Sequence, residues 1–399
     1  MAFRSTLVAL VFLIATLLPS VARTEDRVTV NGNYYREEST RVLSPEVRVT
    51  KDAPDERFTV GAAYLLDAVS SASIAAGAQQ ATGGDNVFTE LRHEATGTVA
   101  SRLDDWQLGG FFRYSTETDW ESRSLGASVS RDFLQRSLNF GVSYAYNFDR
   151  VYRILDSTGR RRQWCGGAIE NDPEVRDECS DGGVGFESNL LQTHYLQLNY
   201  SHAVHPTLLL LGTFEYANVG GPQDNPYRGG QLPGVDWEVH PLRRNRYTLW
   251  LGTRWHVPKG RTTFEPRYRY YVDDWGIQGH APELRAHFRV TKHFLLRLRY
   301  RFYAQTKAFF WTGMVHSGET GECTRDDVDA CASADPKMSA FRSHTPGIQL
   351  TYELDRLAQL RGLHWLEGGW VEATYNYVRQ TNRYGDVRAL GSLTFSLAF

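Results

Sequence analysis

From Gly391 to Phe399 the chain alternates without a break. Leu393, Phe395, Leu397 and Phe399 share one parity, and Ser392, Thr394, Ser396 and Ala398 share the other. A period of two marks a strand with one apolar face and one polar or small face. In water such a strand leaves an apolar edge open to other chains. In a closed barrel crossing a bilayer that problem disappears, because the apolar face meets lipid and both edges are paired. The rest of the chain can be read against that alternative.

Arg4 precedes an apolar run from Leu7 to Leu18, and Ser20-Val21-Ala22 supplies the small residues that a signal peptidase needs. This predicts an export leader over 1–22 and one mature domain over 23–399. The leader is too short to span a bilayer, and no later segment reaches the roughly 18 continuous apolar residues of a transmembrane helix. With 44 Lys and Arg against 46 Asp and Glu, there is no basic excess to call for a nucleic-acid partner. A mean hydropathy of −0.43 is compatible with a membrane barrel, whose strands have one wet face. The 21 Tyr and 10 Trp are what interfacial girdles consume.

Alternating segments recur near 28–36, 41–51, 57–67, 86–100, 103–117, 120–132, 136–150, 189–203, 206–217, 246–257, 261–273, 281–290, 293–306, 340–354, 364–379 and 386–399. The expectation is an all-β, antiparallel transmembrane barrel of about 16 strands, within a range of about 14 to 18. Only Leu354 to Leu363 carries a helical period, enough for one short turn. The long connections, 68–85, 151–188, 218–245 and 307–339, all follow odd-numbered strands, and the connections 52–56, 101–102, 132–135, 204–205, 258–260 and 291–292, after even-numbered strands, are short. That asymmetry is expected of short periplasmic turns and long outer loops. A ring of this size leaves a lumen too wide to fill with apolar side chains, so its polar face must be the inner one.

On three consecutive strands the inferred inner face carries Arg267 and Arg269, then Arg285, His287 and Arg289, then Arg297, Arg299 and Arg301. With strands about 4.8 Å apart, these side chains make one basic wall. Glu265, Asp273 and Glu283 share its face, and Glu90 and Glu94 lie on an inner face elsewhere. The wall can set up a transverse field favouring anions, or form a salt-bridge network that satisfies inward charges; the two are compatible. The small-residue segment through Gly84 either folds inward as a constriction or stays outside.

Cysteines fall in two local pairs, Cys165 with Cys179 and Cys323 with Cys331, and an oxidising compartment makes disulfides the expectation. No metal or cofactor is expected. Asp326, Asp327 and Asp329 read as a solvated acidic loop rather than a calcium site. No G-x-S-x-G, H-E-x-x-H or phosphate-cradling loop occurs. A triad assembled across strands is defined by geometry, so a hydrolase is kept as a minor alternative, with His194 and His202 as candidate bases.

Three stretches, Asp67-Ala-Val-Ser-Ser-Ala-Ser73, Phe88-Thr-Glu-Leu-Arg-His-Glu94 and Tyr144-Ala-Tyr-Asn-Phe-Asp-Arg150, resemble a family of bacterial outer-membrane proteins of about 400 residues known as a domain of unknown function. The resemblance implies a barrel and an outer-membrane address, and carries no catalytic residue. Leu393, Phe395, Leu397 and Phe399 likewise resemble the aromatic-ended strand read by the barrel assembly machinery. The expected partners are outer-membrane lipids and that machinery, with a homo-oligomer or a periplasmic or surface protein as further options. The expected function is a porin-like passive channel for small hydrophilic solutes with a mild anion preference; the alternative is a structural sleeve around a partner.

Overall fold

The computed structural model describes residues 26–37, 40–53, 57–71, 88–154, 161–168, 190–224, 237–313, 323–382 and 386–399. Among these, alternating segments form strands β1 (Arg27–Arg36), β2 (Thr40–Asp52), β3 (Phe58–Ser71), β4 (Phe88–Leu103), β5 (Trp106–Thr116), β6 (Trp120–Phe133), β7 (Leu138–Ile154) and β8 (Arg161–Gln163). They continue through β9 (Leu191–His205), β10 (Leu208–Gly220), β11 (Arg243–Val257), β12 (Thr262–Asp273), β13 (Gln278–Arg289) and β14 (Phe294–Gln305). The last three are β15 (Phe341–Glu353), β16 (Trp370–Gln380) and β17 (Val387–Ala398). The short β8 pairs only with β7; the other sixteen each pair antiparallel with their neighbours, and β17 pairs with β1 to close the ring.

Closure is what hydrocarbon demands, because an unpaired backbone amide there has no water to bond. The closing register runs from Arg27↔Ala398 to Arg36↔Ala389. Ser396 is fully buried on its inner side, and its hydroxyl lies 3.0 Å from both Arg27 Nη1 and Thr29 Oγ1. At the rim, the Phe399 N–H donates to the Asp26 carbonyl at 3.1 Å, and Asp26 accepts from the Asp52 N–H at 2.8 Å.

Apolar residues point outward. Phe140, Val142, Leu249, Leu251, Leu284 and Leu298 are exposed, while the buried polar residues Ser124, Glu265, Gln349 and Asn376 occupy the opposite parity. This inverts a soluble barrel and fits a lipid-facing band.

Both described chain ends lie on the rim whose connections, from 53–57 through 290–293, are all short, whereas the opposite rim mixes short connections such as 117–119 with the long ones. The β6–β7 turn runs through positive φ at Leu134, Gln135 and Arg136, and Asp104 takes the same conformation between β4 and β5. The long connections belong to the other rim. One connection departs from this sorting: 354–369, between β15 and β16, lies on the short-turn rim. It begins with a helical turn, Asp355–Ala358, and a second turn follows at His364–Leu366. Leu354, Ala358 and Leu366 pack against Tyr352, Leu363, Val371, Phe395 and Leu397, so this apolar excursion covers the foot of β17. That packing delays β16 to Trp370, six residues after the start expected from alternation.

At the outer rim the connections build a small core of their own. Val239, Trp275, Ile277, Ala308 and Phe310 surround the Cys323–Cys331 disulfide, whose Cα atoms are 4.7 Å apart. Trp164 and Trp237 pack edge to face beside Val151. Cys165 is also disulfide-bonded; its expected partner Cys179 and the 72–87 part of the small-residue loop lie outside the described residues.

Orientation can be tested directly. Leu298→Arg on the outward face should lower stability in phospholipid vesicles by about 2–4 kcal/mol, read from denaturant unfolding. Reduction of the disulfides should make 323–339 sensitive to protease and leave the barrel's heat-modifiable gel mobility unchanged.

Candidate functional site: the inner wall of the barrel

The arginines identified in the sequence occupy the inward parity of β12, β13 and β14, opposite the exposed Tyr268, Leu284, Leu298 and Tyr300. Two carboxylates organise them. Glu265, almost wholly buried, is paired with Arg267, bonded to His287 Nε2 at 3.1 Å, and 3.7 Å from Arg254. Glu283 is gripped by Arg285 and by Arg299, the latter at 2.9 Å. Ionic hydrogen bonds of this kind hold long, flexible side chains against the wall.

The third expected acid, Asp273, lies higher on β12. It accepts from Arg244 at 2.5 Å, from Tyr271 Oη at 2.7 Å and from the Ile277 N–H at 2.8 Å. Arg269 reaches Glu215 on β10 at 3.3 Å, and Arg289 reaches Glu353 at 3.3 Å. Arg267 also lies over the Trp250 ring, 4.9 Å from its centroid, and Arg301 over Tyr303 at 5.6 Å. Seven arginines on β12–β14 thus share one face with three carboxylates.

The other side of the barrel is chemically different. A cavity of about 660 Å³ is lined mainly by small residues of β3 to β9, among them Thr59, Gly109, Ser128, Ser130 and Gly141, together with the charged Asp52, Arg57 and Arg102. A second, of about 390 Å³, lies where Arg113, Ser124, Asn147 and Tyr195 meet Glu215, Arg246 and Arg269. Glu94 stands on the inward parity of β4, opposite Ser115; the side chain of Glu90 lies outside the described residues. Two stretches singled out in the sequence meet directly: Asp67 opposes Arg92 across β3 and β4, and the two form an ion pair.

Strands β10 and β11 were expected from alternation, but their share of the charged wall was not. Arg244, Arg246, Arg254 and Glu215 belong to the same inward surface, but β11 also turns Trp250 inward, which blurs the alternation there.

A model of the family described as "Protein of unknown function (DUF3570)" matches residues 79–364, well over half of the chain. The chain belongs to the DUF3570 family. No curated protein matches it. Among solved structures, this DUF3570 barrel is similar in fold to a bacterial polysaccharide outer membrane secretin (TM-score 0.51, 8% identity, covering 95% of this chain and 100% of that one). Two further similar structures are a BenF-like porin from Pseudomonas fluorescens Pf-5 (TM-score 0.44, 8% identity, 94% and 98% covered) and OccK2 (OpdF) of Pseudomonas aeruginosa (TM-score 0.42, 10% identity, 94% and 98% covered). At such identities the likeness is one of fold. The protein has the fold of an outer-membrane β-barrel.

Within this DUF3570 barrel, one arrangement has the residue types of a hydrolase. Ser333 Oγ lies 2.9 Å from His240 Nε2, and Glu238 Oε2 is 3.6 Å from that same nitrogen. A catalytic triad needs its acid on the opposite ring nitrogen, and all three residues are buried. Beside them Val239 and Ala332 bridge two outer connections, so the group serves as a strut. His194 and His202 face outward and are engaged by Tyr144 and Tyr200.

Among the described residues, His293, Glu353 and Asp355 form the one group with metal-ligand spacing, their ligand atoms within 4.8 Å. Its acids are already engaged, Glu353 by Arg289 and Asp355 by the Gly368 N–H. Asp326, Asp327 and Asp329 form no such group.

At the outer end, Glu117 follows β5. Burial pushes its carboxyl up from 4.5 to about 7, with Asp119 and Asp67 adding to the rise and Arg92 opposing it. The folded barrel therefore binds this proton more tightly than the unfolded chain, and the associated stability falls as pH rises from about 4.5 to about 7. Glu117→Gln should remove that fall, so that the stability difference between wild type and variant changes from about pH 4.5 to about 7 and stays constant above it in denaturant titrations.

Proposed function

We propose that the barrel is a passive channel for small hydrophilic solutes and that the arginines of β12 to β14 give it a preference for anions. The observation carrying this reading is the asymmetry of the inner wall. Seven arginines on one side share a face with three carboxylates, whereas the cavity along β3 to β9 is lined mainly by hydroxyls, amides and glycines, with Arg57, Arg102 and Asp52 as its charged groups. Such a wall imposes a transverse field on water and solute and raises the local concentration of anions. The ion pairs at Glu265 and Glu283 hold the guanidinium groups flat and leave net positive charge facing the lumen.

A structural sleeve closed by its own loops is a second reading. It is favoured by the core that the outer connections build around Trp275, Phe310 and the Cys323–Cys331 bond. Conductance separates the two, because a sleeve would be silent in a planar bilayer without its partner.

With Arg297, Arg299 and Arg301 all changed to Gln, the anion-to-cation permeability ratio should fall several-fold in planar bilayers, with single-channel conductance retained. An unchanged ratio would remove the basic wall from the account.

A further inference from the structure

Four histidines repeat one arrangement on the outside of the barrel. Tyr64 Oη lies 2.6 Å from His93 Nδ1, Tyr144 Oη 2.7 Å from His194 Nδ1, Tyr268 Oη 2.6 Å from His280 Nδ1 and Tyr300 Oη 2.7 Å from His344 Nδ1. Each tyrosine is the seventh residue of its strand, counted from the short-turn rim: β3, β7, β12 and β14 begin at Phe58, Leu138, Thr262 and Phe294. Each histidine sits on the following barrel strand, two residues nearer the outer rim than the residue opposing the tyrosine, which is Ala95, Leu196, Pro282 or Pro346. The four pairs therefore stand at one height around the circumference. Three of the imidazoles also lie against a second ring, His194 on Tyr146, His280 on Tyr270 and His344 on Phe302, with centroids 4.8 to 5.1 Å apart.

We propose that these Tyr–His pairs are a belt of binding sites for lipid phosphate at the outer boundary of the membrane. With Nδ1 engaged by the tyrosine hydroxyl, the ring nitrogen left to donate outward is Nε2. That N–H is exposed on the lipid-facing wall and bonds to no group among the described residues. A polar donor on this surface is costly unless an acceptor meets it, and acyl chains have none. Headgroup oxygens do, and a phosphate offers several with negative charge, which strengthens the bond. Repetition at one height on β3/β4, β7/β9, β12/β13 and β14/β15 suits the surrounding lipid annulus, whereas a protein partner would use one patch. The proposal rests on outer-membrane residence and is independent of whether the lumen conducts.

The test uses the whole barrel in neutral-detergent micelles with two added lipids of equal chain length, dioleoyl phosphatidylglycerol and the phosphate-free dioleoyl galactosylglycerol. The thermal midpoint of the native barrel should rise with the phosphate lipid well beyond the rise with the glycolipid. Native mass spectrometry should retain phosphatidylglycerol preferentially. Changing His93, His194, His280 and His344 together to Phe should abolish both preferences. Equal rises with the two lipids, or the same preference in wild type and variant, would overturn the proposal. Should the fourfold variant not assemble, nitrogen-15 spectra of the native barrel decide: Nε2–H resonances must shift with phosphatidylglycerol and not with the glycolipid, and unmoved resonances overturn it.

Discussion

Every strand of this protein is governed by the absence of water around it. A backbone N–H or C=O in hydrocarbon has only another backbone group to bond, so the sheet has to close, and β17 must find β1 across the whole length of the chain. Closure then dictates the rest. The outer surface must be apolar, the polar parity must face inward, and any residue with a charge must reach the lumen or a rim. The buried Ser396 hydroxyl at the seam, bonded to Arg27 and Thr29, shows the inward parity satisfying itself where the ring is completed.

Once charge is confined to the lumen, its arrangement becomes the chemically informative feature. Lone arginines on a wall would sample many rotamers. Here Glu265 and Glu283 act as anchors, each holding more than one cation, so the positive surface has fixed positions. The small residues of β3 to β9 have the complementary effect of leaving space opposite the anchored side chains. Lumen charges of this kind are shielded from the hydrocarbon by the sheet itself, and their ion pairs tie neighbouring strands together.

The legibility of these features differed for physical reasons. Alternation is a local signal, so all sixteen barrel strands and the inward phase of Arg267, Arg285 and Arg299 could be read directly from residue parity. The contribution of β11 and β10 was hidden because Trp250 breaks the rule that inward residues are polar; it does so to stack beneath Arg267. The β15–β16 excursion was misplaced by several residues because its leucines satisfy a strand and a helical turn almost equally well. Only the apolar foot of β17, brought alongside by ring closure, favours the turn. The buried Ser333, His240 and Glu238 group could not be anticipated either, since ninety-three residues separate His240 from Ser333 and nothing local links them.

Residue order alone determined the architecture: an outward apolar parity and an inward polar one, about sixteen crossings, and most of the long connections on one rim. It could do so because period-two patterning and connection length are properties of contiguous residues. Tertiary structure alone decided which charges neutralise one another, which tyrosine meets which histidine, and how the outer connections pack into a core. Those depend on strand register and on ring closure, which place residues side by side that are far apart along the chain.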